Sequence, residues 1–559
     1  MNRNEILASL RENPVRPVLI IGAGINGIGT FRDLALQGID VLLVDRGDFC
    51  SGASAASSHM VHGGIRYLEN GEFRLVREAV QERNLLIQNA PHYVVPLPTT
   101  FPIFKVFSGL LNAPLKFLGL LDRPAERGAI VIKIGMMFYD AFTGAQRTVP
   151  KHVFRSRSTS LQQYPDLNPE IQFTATYFDA AMPSPERICI DLIQDAEASH
   201  AMAHALNYMP VIGANGNRVQ LRDALSGETF EVEPQIVVNA AGPWIDLTNH
   251  AMGLETRFIG GTKGSHLVLD HPQLRAALKE QEFFFENKDG RIVLIFPLMD
   301  KVMIGTSDLR IEDPDDARCT EEEIDYFFAM VKRVFPAIEL RRDQIVFRFS
   351  GVRPLPASPE GFTGQISRDH SVERVDAGGN TPFPLLNLIG GKWTSFRAFS
   401  NEVSDQVLAY LGRARQMSTQ NIPIGGGADF PQTKSARQEW LHELNVRSGV
   451  PLSRLEMLLS RYGTRAQALA LYLAEGEDQP LQHAPTFSQR EILYLFNHEK
   501  ALHLTDIVQR RSMLAKLGQL TPELIKELAS IAAQCLAWSP EERQRQIDQT
   551  SELLEKSTS

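Results

Sequence analysis

Between Val18 and Asp45 the chain reads VLIIGAGINGIGTFRDLALQGIDVLLVD, an order of residues that few folds can accept. An apolar run, Val18–Ile21, ends in Gly22-x-Gly24-x-x-Gly27; a helical pattern follows, and a second apolar run, Val41–Val44, stops at Asp45. The pattern predicts strand, helix and strand. Glycines in the first turn let backbone approach a pyrophosphate at a helix N-terminus. Asp45 falls at the spacing of a carboxylate that holds a ribose hydroxyl. Glycines also cluster in ordinary turns, but here both strands, the helix and the terminal acid agree. The segment is therefore read as a dinucleotide-binding unit.

The residues after Asp45 bear on which dinucleotide it holds. Ser51 to Tyr67 reads SGASAASSHMVHGGIRY. Small side chains let backbone lie close to a flat ligand, and hydroxyls suit diphosphate oxygens. A nicotinamide unit would need only a plain strand-to-helix connection here, so a second contact segment favours a flavin nucleotide. Taken alone, Ser57 and Ser58 would serve equally well as helix caps. Two distant segments have the same character. Val237 to Trp244 is a strand running into Ala240, Ala241 and Gly242, and Leu388 to Arg397 is a strand ending in Gly390-Gly391 ahead of Lys392 and Thr394. The second of these sets another helix N-terminus against polar cofactor atoms.

The 559 residues are enough for two or three domains. A net charge of −9 argues against a general nucleic-acid binder. Cys50, Cys189, Cys319 and Cys535 are far apart and form no CxxC pair, so no metal or iron–sulfur centre is expected and the electron carrier should be organic. The first residues contain no long apolar run, so secretion is not expected. Residues 1–16 are read as a surface segment, with Ile6, Leu7 and Leu10 on a short helix.

Residues 17–425 alternate apolar runs with Gly/Pro turns, as mixed α/β proteins do. From 428 to 559 the texture becomes helical, with helices expected at Leu452–Tyr462, Ala466–Leu473, Ser488–Asn497, Leu504–Leu517 and Pro522–Leu536; Gly425–Gly427 reads as the linker. Phe101 to Asp140 stands apart. It is apolar, interrupted by Pro102, Pro114 and Pro124, and interleaved with Lys105, Lys116, Arg123, Arg127 and Lys133. It is too broken to span a bilayer. Two uses stay open: lying in an anionic membrane surface, or packing into the protein or a homodimer interface.

Four cations, Arg66, Lys263, Arg353 and Lys392, sit close to glycines in turn-like settings. Converging on one pocket, they would suit a phosphate dianion. His266, in Gly264-Ser265-His266, is a candidate proton acceptor because imidazole titrates near neutrality.

At these residues a resemblance becomes specific. GAGINGIG, SSHMVHGGIRYLENGEF, VNAAGPW, KGSH, GTSD, SGVRPL and GGKWTSFR occur in this order, with Arg461-Tyr-Gly-Thr464 and Asp506-Ile-Val-Gln-Arg-Arg511 in the helical tail. Together, from about residue 17 to about 540, they resemble the FAD-dependent glycerol-3-phosphate dehydrogenase family. The resemblance implies a mixed α/β fold of the D-amino-acid-oxidase-like flavoprotein type. In it an interleaved FAD-binding Rossmann-like domain joins an antiparallel-sheet substrate domain and a C-terminal helical domain.

It also implies roles. Gly22, Gly24, Asn26, Gly27, Asp45 and Arg46 would contact FAD, as would Ser57, Ser58, His62, Gly63 and Gly64. Ala240, Gly242, Lys392 and Thr394 complete that set. Arg66, Tyr67, Arg353 and Lys392 would bind a polyol phosphate, with Arg353 and His266 in the chemistry. The family oxidises glycerol 3-phosphate and passes electrons to a quinone at a membrane surface, so a cytoplasmic location, or one on the cytoplasmic face of the inner membrane, is implied. An oxygen-using glycerophosphate oxidase and an erythritol phosphate dehydrogenase are the alternatives. The run Ser184-Pro185-Glu186-Arg187 departs from the Asp-Asp-Ala-Arg of many relatives, which touches on substrate identity.

Overall fold

The structure, a computed structural model, describes residues 1–65, 72–106, 128–143, 148–286, 292–357, 369–379 and 381–558. One six-stranded sheet has the order Ser371–Val375, Leu385–Ile389, Ile236–Asn239, Val18–Ile21, Val41–Val44, Ala203–Leu206. Its neighbours are parallel except at the Ser371–Val375 edge. The central strands are buried on both faces, which is why they read as unbroken Val/Ile/Leu runs rather than as alternation. The strands come from widely separated stretches of chain, so the dinucleotide domain is interleaved with the rest. Helices Ile25–Leu36, Pro185–Ser199 and Phe396–Tyr410 cover one face. The other face packs on a three-stranded sheet and on the N-terminal helix Arg3–Glu12, where Ile6, Leu7 and Leu10 are buried.

The second sheet is mostly antiparallel, and strand Thr262–Leu269 lies between Ile345–Arg353 and Lys301–Gly305. Period-2 alternation divides its side chains. Leu267, Leu269, Ile304 and Val302 join Phe327 and Val331 of helix Glu321–Val334. Val268, Met303 and Phe347 point the other way and join Leu455, Leu504 and Leu528 of the helical tail. The tail is therefore packed against the antiparallel sheet in one continuous core.

Two readings change accordingly. Gly425–Gly427 is a turn of 3-10 helix rather than an open linker. A Cβ at Gly426 would lie 1.9 Å from the Tyr462 carbonyl oxygen, and one at Gly427 2.1 Å from that of Asn89, so only glycine fits this joint. The helix expected over Leu504–Leu517 becomes a single turn, Leu504–Asp506, then a π-helical turn, Ile507–Arg511. There the Ser512 amide and hydroxyl both donate to the Ile507 carbonyl, at 2.9 and 2.7 Å.

Of Phe101–Asp140, residues 107–127 lie outside the described residues. Helix Ala129–Thr143 comes next, with Met136 and Tyr139 buried against Val76, Val80 and Tyr177, and with Ile134, Met137 and Phe138 about half exposed. No described helix is long and apolar enough to cross a membrane.

Candidate active site

The carboxyl ends of strands Val18–Ile21 and Val41–Val44 open into a cavity of about 830 Å³. Its walls include Gly22, Gly24, Asn26, Asp45, the Ser51–Ala56 run, Ala240–Trp244 and Phe349. This is where an open parallel sheet places a ligand, and the volume lies within the range of small-molecule sites.

The three glycines of the motif do different work. Gly22 has φ +103°, and a Cβ there would lie 2.5 Å from the Ala240 carbonyl oxygen. At Gly27 a Cβ would sit 1.9 Å from the Gly22 oxygen, because helix and strand touch there. Gly24 is the N-cap of helix Ile25–Leu36 and has no side chain to cap it; Ser54 does so instead, its Oγ accepting from the Ile25 amide at 2.9 Å. Asn26 keeps its Oδ1 buried and without a hydrogen-bond partner, beside a loop at Gly391 where a Cβ would strike its amide nitrogen at 2.7 Å. Asp45 accepts from the Ala23 amide at 2.6 Å and from the Gly47 amide at 2.8 Å. Burial pushes its carboxyl up to about 6 against those two bonds. Arg46 stacks over the Trp244 ring at 4.4 Å and pairs with Asp315 at 2.5 Å, forming a rim of the cavity.

Within the Ser51–Tyr67 stretch, the serines that line the cavity are Ser51 and Ser54. Ser57 instead accepts from the His59 amide at 3.2 Å, and Ser58 Oγ lies 2.9 Å from His266 Nε2. His62 and Thr394 are joined twice: the His62 amide donates to Thr394 Oγ1 at 3.1 Å, and that hydroxyl donates to the His62 carbonyl at 3.0 Å. The Gly63 amide donates to Asp179 at 2.9 Å, and Gly64 has φ +71°. Gly242 also has a positive φ, +60°, where the strand Ile236–Asn239 turns over the cavity. Lys392 follows Gly390 and Gly391, both at positive φ, and its ammonium partly offsets the burial that raises the Glu72 carboxyl. Arg66 and Tyr67 lie outside the described residues.

The antiparallel sheet brings the two candidate catalytic groups to one face. His266 is paired in register with Phe349 and Arg353 with Thr262, so both point toward the tail. Gly264 lies between them; a Cβ there would be 2.2 Å from Arg353 Nη2. Arg353 donates to Thr306 Oγ1 at 2.9 Å, the Ser307 carbonyl at 3.2 Å and Asp308 at 3.2 Å. His266 is buried and stacks on Phe349 with centroids 5.0 Å apart. Burial, then the charges of Arg353 and Lys516, push the imidazole down to about 3, so it is neutral at physiological pH, with Nδ1 lacking a hydrogen-bond partner.

Lys263 does not join them. It occupies the opposite face, where its ammonium meets Glu323 at 2.9 Å and the Arg318 carbonyl at 2.5 Å. The alternation of the strand carries this distinction, which a glycine-flanked lysine does not reveal by itself. Arg510 and Lys516, both from the helical tail, also line the cavity; Arg510 lies in the Asp506–Arg511 motif, to which the resemblance assigns no site role, and Lys516 lies in no motif. The Arg510-Arg511 run was the available signal, but only packing shows that the tail reaches the site.

The FAD dependent oxidoreductase family matches residues 17–379, and the C-terminal domain of alpha-glycerophosphate oxidase matches 417–543. The chain is 33% identical to a glycerol-3-phosphate dehydrogenase of Synechocystis, over 97% of both chains. It is 30% identical to the D-erythritol 1-phosphate dehydrogenase of Brucella abortus, covering 89% of this chain and 93% of that one. The crystal structure of a Bacillus halodurans glycerol-3-phosphate dehydrogenase, complexed with FAD, shares the fold at a TM-score of 0.76 and 24% identity, over 100% of this chain and 98% of that one. The cavity, with its glycine turn, helix N-terminus and buried Asp45, suits the cofactor that family uses, and the chain belongs to the FAD-dependent glycerol-3-phosphate dehydrogenase family.

Proposed function

We propose that this protein oxidises glycerol 3-phosphate at C2 to dihydroxyacetone phosphate, with electrons leaving to a membrane quinone. The observation that carries the reading is a neutral, buried His266 on the same sheet face as Arg353, stacked on Phe349, which lines the dinucleotide cavity. FAD, when bound, supplies the hydride acceptor. Its holders would be the Gly22–Gly27 turn, Asp45 and the Ser51–Ser58 segment, with Ala240, Gly242 and Thr394 nearby.

His266 is neutral because burial and two neighbouring cations disfavour the imidazolium, which also makes it a weaker base than a free imidazole. It accepts the C2 hydroxyl proton, its ring oriented by Ser58 and stacked on Phe349. Arg353, held by Asp308 and Thr306, faces the negative charge that develops on the C2 oxygen. Arg66, Tyr67 and Lys392 are assigned to the phosphate on the strength of their motifs. The exposed Ile134, Met137 and Phe138 support docking on the membrane that holds the quinone.

The erythritol phosphate reading drew on the departure at Ser184–Arg187. In the fold that run holds the tail: Glu186 pairs with Lys516 and Arg187 with Glu499. Glu186 also lines the cavity, so the run belongs to the site as well as to the seat of the tail. Anaerobic titration of the flavoprotein with glycerol 3-phosphate and with erythritol phosphate tests the reading. Bleaching by glycerol 3-phosphate, then faster reoxidation by quinone than by oxygen, is expected. A flavin that stays yellow under saturating glycerol 3-phosphate overturns it.

A further inference from the structure

The tail places one cation where the sequence shows no motif. Lys516 follows the π-helical turn, its side chain is only 6% exposed, and it lines the cavity with Ala55, Ala56 and Phe349. An ammonium has three protons to donate, and each finds an acceptor: Glu186 Oε1, His59 Nε2 at 3.1 Å and the Ala55 carbonyl at 3.5 Å. The tautomer of His59 follows from its other bond. Nδ1 lies 2.8 Å from the Pro183 carbonyl, which can only accept, so Nδ1 carries the proton and Nε2 takes the one from Lys516. Glu186 stands in the first turn of helix Pro185–Ser199, where the helix dipole favours its charge.

These bonds grip both ends of one short segment. Ala55 and His59 flank Ala56, Ser57 and Ser58. Ala56 lies against the strand below, where a Cβ on Gly351 would meet the Ala56 Cβ at 2.7 Å. Ser58 meets His266 Nε2 at 2.9 Å. His59 itself has φ +51°, in the left-handed region that only a few per cent of non-glycine residues adopt, so the segment needs holding from outside.

We propose that Lys516, together with Glu186, is a positioning residue that the helical tail contributes to the active site: it fixes the Ala55–His59 segment against the flavin cavity and so sets Ser58 on His266. The tail is then a working part of the site. Glu186 is the counter-ion that lets a lysine be buried there. Removing the lysine alone would strand a buried carboxylate, so the informative change is the double variant Glu186→Gln with Lys516→Met.

This rests on the cavity being the flavin site, and the readouts use no substrate, so they stand apart from the choice of glycerol 3-phosphate. Wild-type protein that holds no FAD would overturn the flavin reading itself. In the double variant, FAD release on dilution, followed by flavin fluorescence, should show at least a tenfold weaker complex. The visible circular dichroism of the bound flavin should change, while trypsin resistance of the tail stays that of wild type. Lys516→Arg, which keeps the charge beside Glu186, should restore most of both signals. Wild-type flavin affinity and dichroism in the double variant would overturn the proposal. So would a tail that becomes trypsin-sensitive in step with flavin loss and is not rescued by Lys516→Arg, since the pair would then be a staple for the tail alone.

Discussion

Asp48 and Arg511 form a fully buried two-pronged ion pair across 463 residues of sequence, Nη1 to Oδ2 at 2.6 Å and Nη2 to Oδ1 at 3.0 Å. Arg510 adds a third bond to Asp48 at 2.5 Å, and Asn207 a fourth at 2.9 Å. Burial alone would raise the Asp48 carboxyl, yet the two guanidinium groups outweigh it and hold it well below the usual carboxylate range. Asp48 belongs to the loop after Asp45, so the pair ties the tail to the dinucleotide site.

Asp48→Asn should destabilise the protein by about 3–5 kcal/mol, because it leaves buried guanidinium groups without their counter-charge. A fall in Tm measures it. The folded carboxyl is depressed, so its stabilisation is complete above the unfolded value of about 3.9 and is lost as pH falls below that. The difference in stability between wild type and variant should therefore be flat from pH 5 to 8 and shrink in acid. A difference that grew with acidification would contradict the pairing.

The motif glycines should respond unequally. Gly27→Ala meets backbone at 1.9 Å and Gly22→Ala meets it at 2.5 Å in a left-handed conformation, so each should cost several kcal/mol and abolish flavin retention. Gly24→Ala has only the Ser54 hydroxyl within reach, at 3.2 Å, and should fold with a Tm within a few degrees of wild type. Thermal unfolding of the three variants side by side checks the order.

Asp45 is pushed up to about 6 by burial in the ligand-free cavity. A ribose hydroxyl donates more strongly to the carboxylate than to the acid, so flavin affinity should weaken as pH falls through 6. Asp45→Asn should bind less tightly at pH 8 and lose that dependence. Fluorescence titration with FAD between pH 5 and 8 reads both.

Arg353→Met should retain bound flavin and lose about 10²–10³ in the rate of flavin reduction, the usual effect of deleting a group that stabilises developing charge. With His266 pushed down to about 3, the wild-type profile of kcat/KM should show no acid limb from this imidazole between pH 5 and 8. Losing the Arg353 charge should move that limb upward but leave it below 6.5, since burial is the larger cause. Stopped-flow reduction across pH decides it.

Met137→Glu with Phe138→Glu should leave flavin content unchanged and reduce binding to anionic vesicles several-fold, because both side chains are about half exposed on helix Ala129–Thr143. Vesicle flotation is the measurement. Unchanged flotation would place membrane contact elsewhere.

Some of this was readable from residues alone. The strands Val18–Ile21, Val41–Val44 and Ile236–Asn239 and the helices Leu452–Tyr462 and Pro522–Leu536 occur at the expected residues, because local periodicity and caps act within a few positions. The glycine turn, Asp45 and the tail's helical character were legible for the same reason. The division of labour among cations was not. Lys263 and Arg353 share similar glycine-rich contexts, yet strand alternation sends one to Glu323 and the other to the face of His266.

By itself the sequence determined the dinucleotide unit, the interleaved α/β texture and the order of motifs, all of which depend on spacing along the chain. Tertiary structure decided which charges meet. Asp48 finds Arg511, Glu186 finds Lys516 and Arg187 finds Glu499 across 312 to 463 residues, through packing of the tail on the sheet. A buried ion pair is set by geometry in three dimensions and by the cost of leaving either charge alone, and neither quantity has a signature in local sequence.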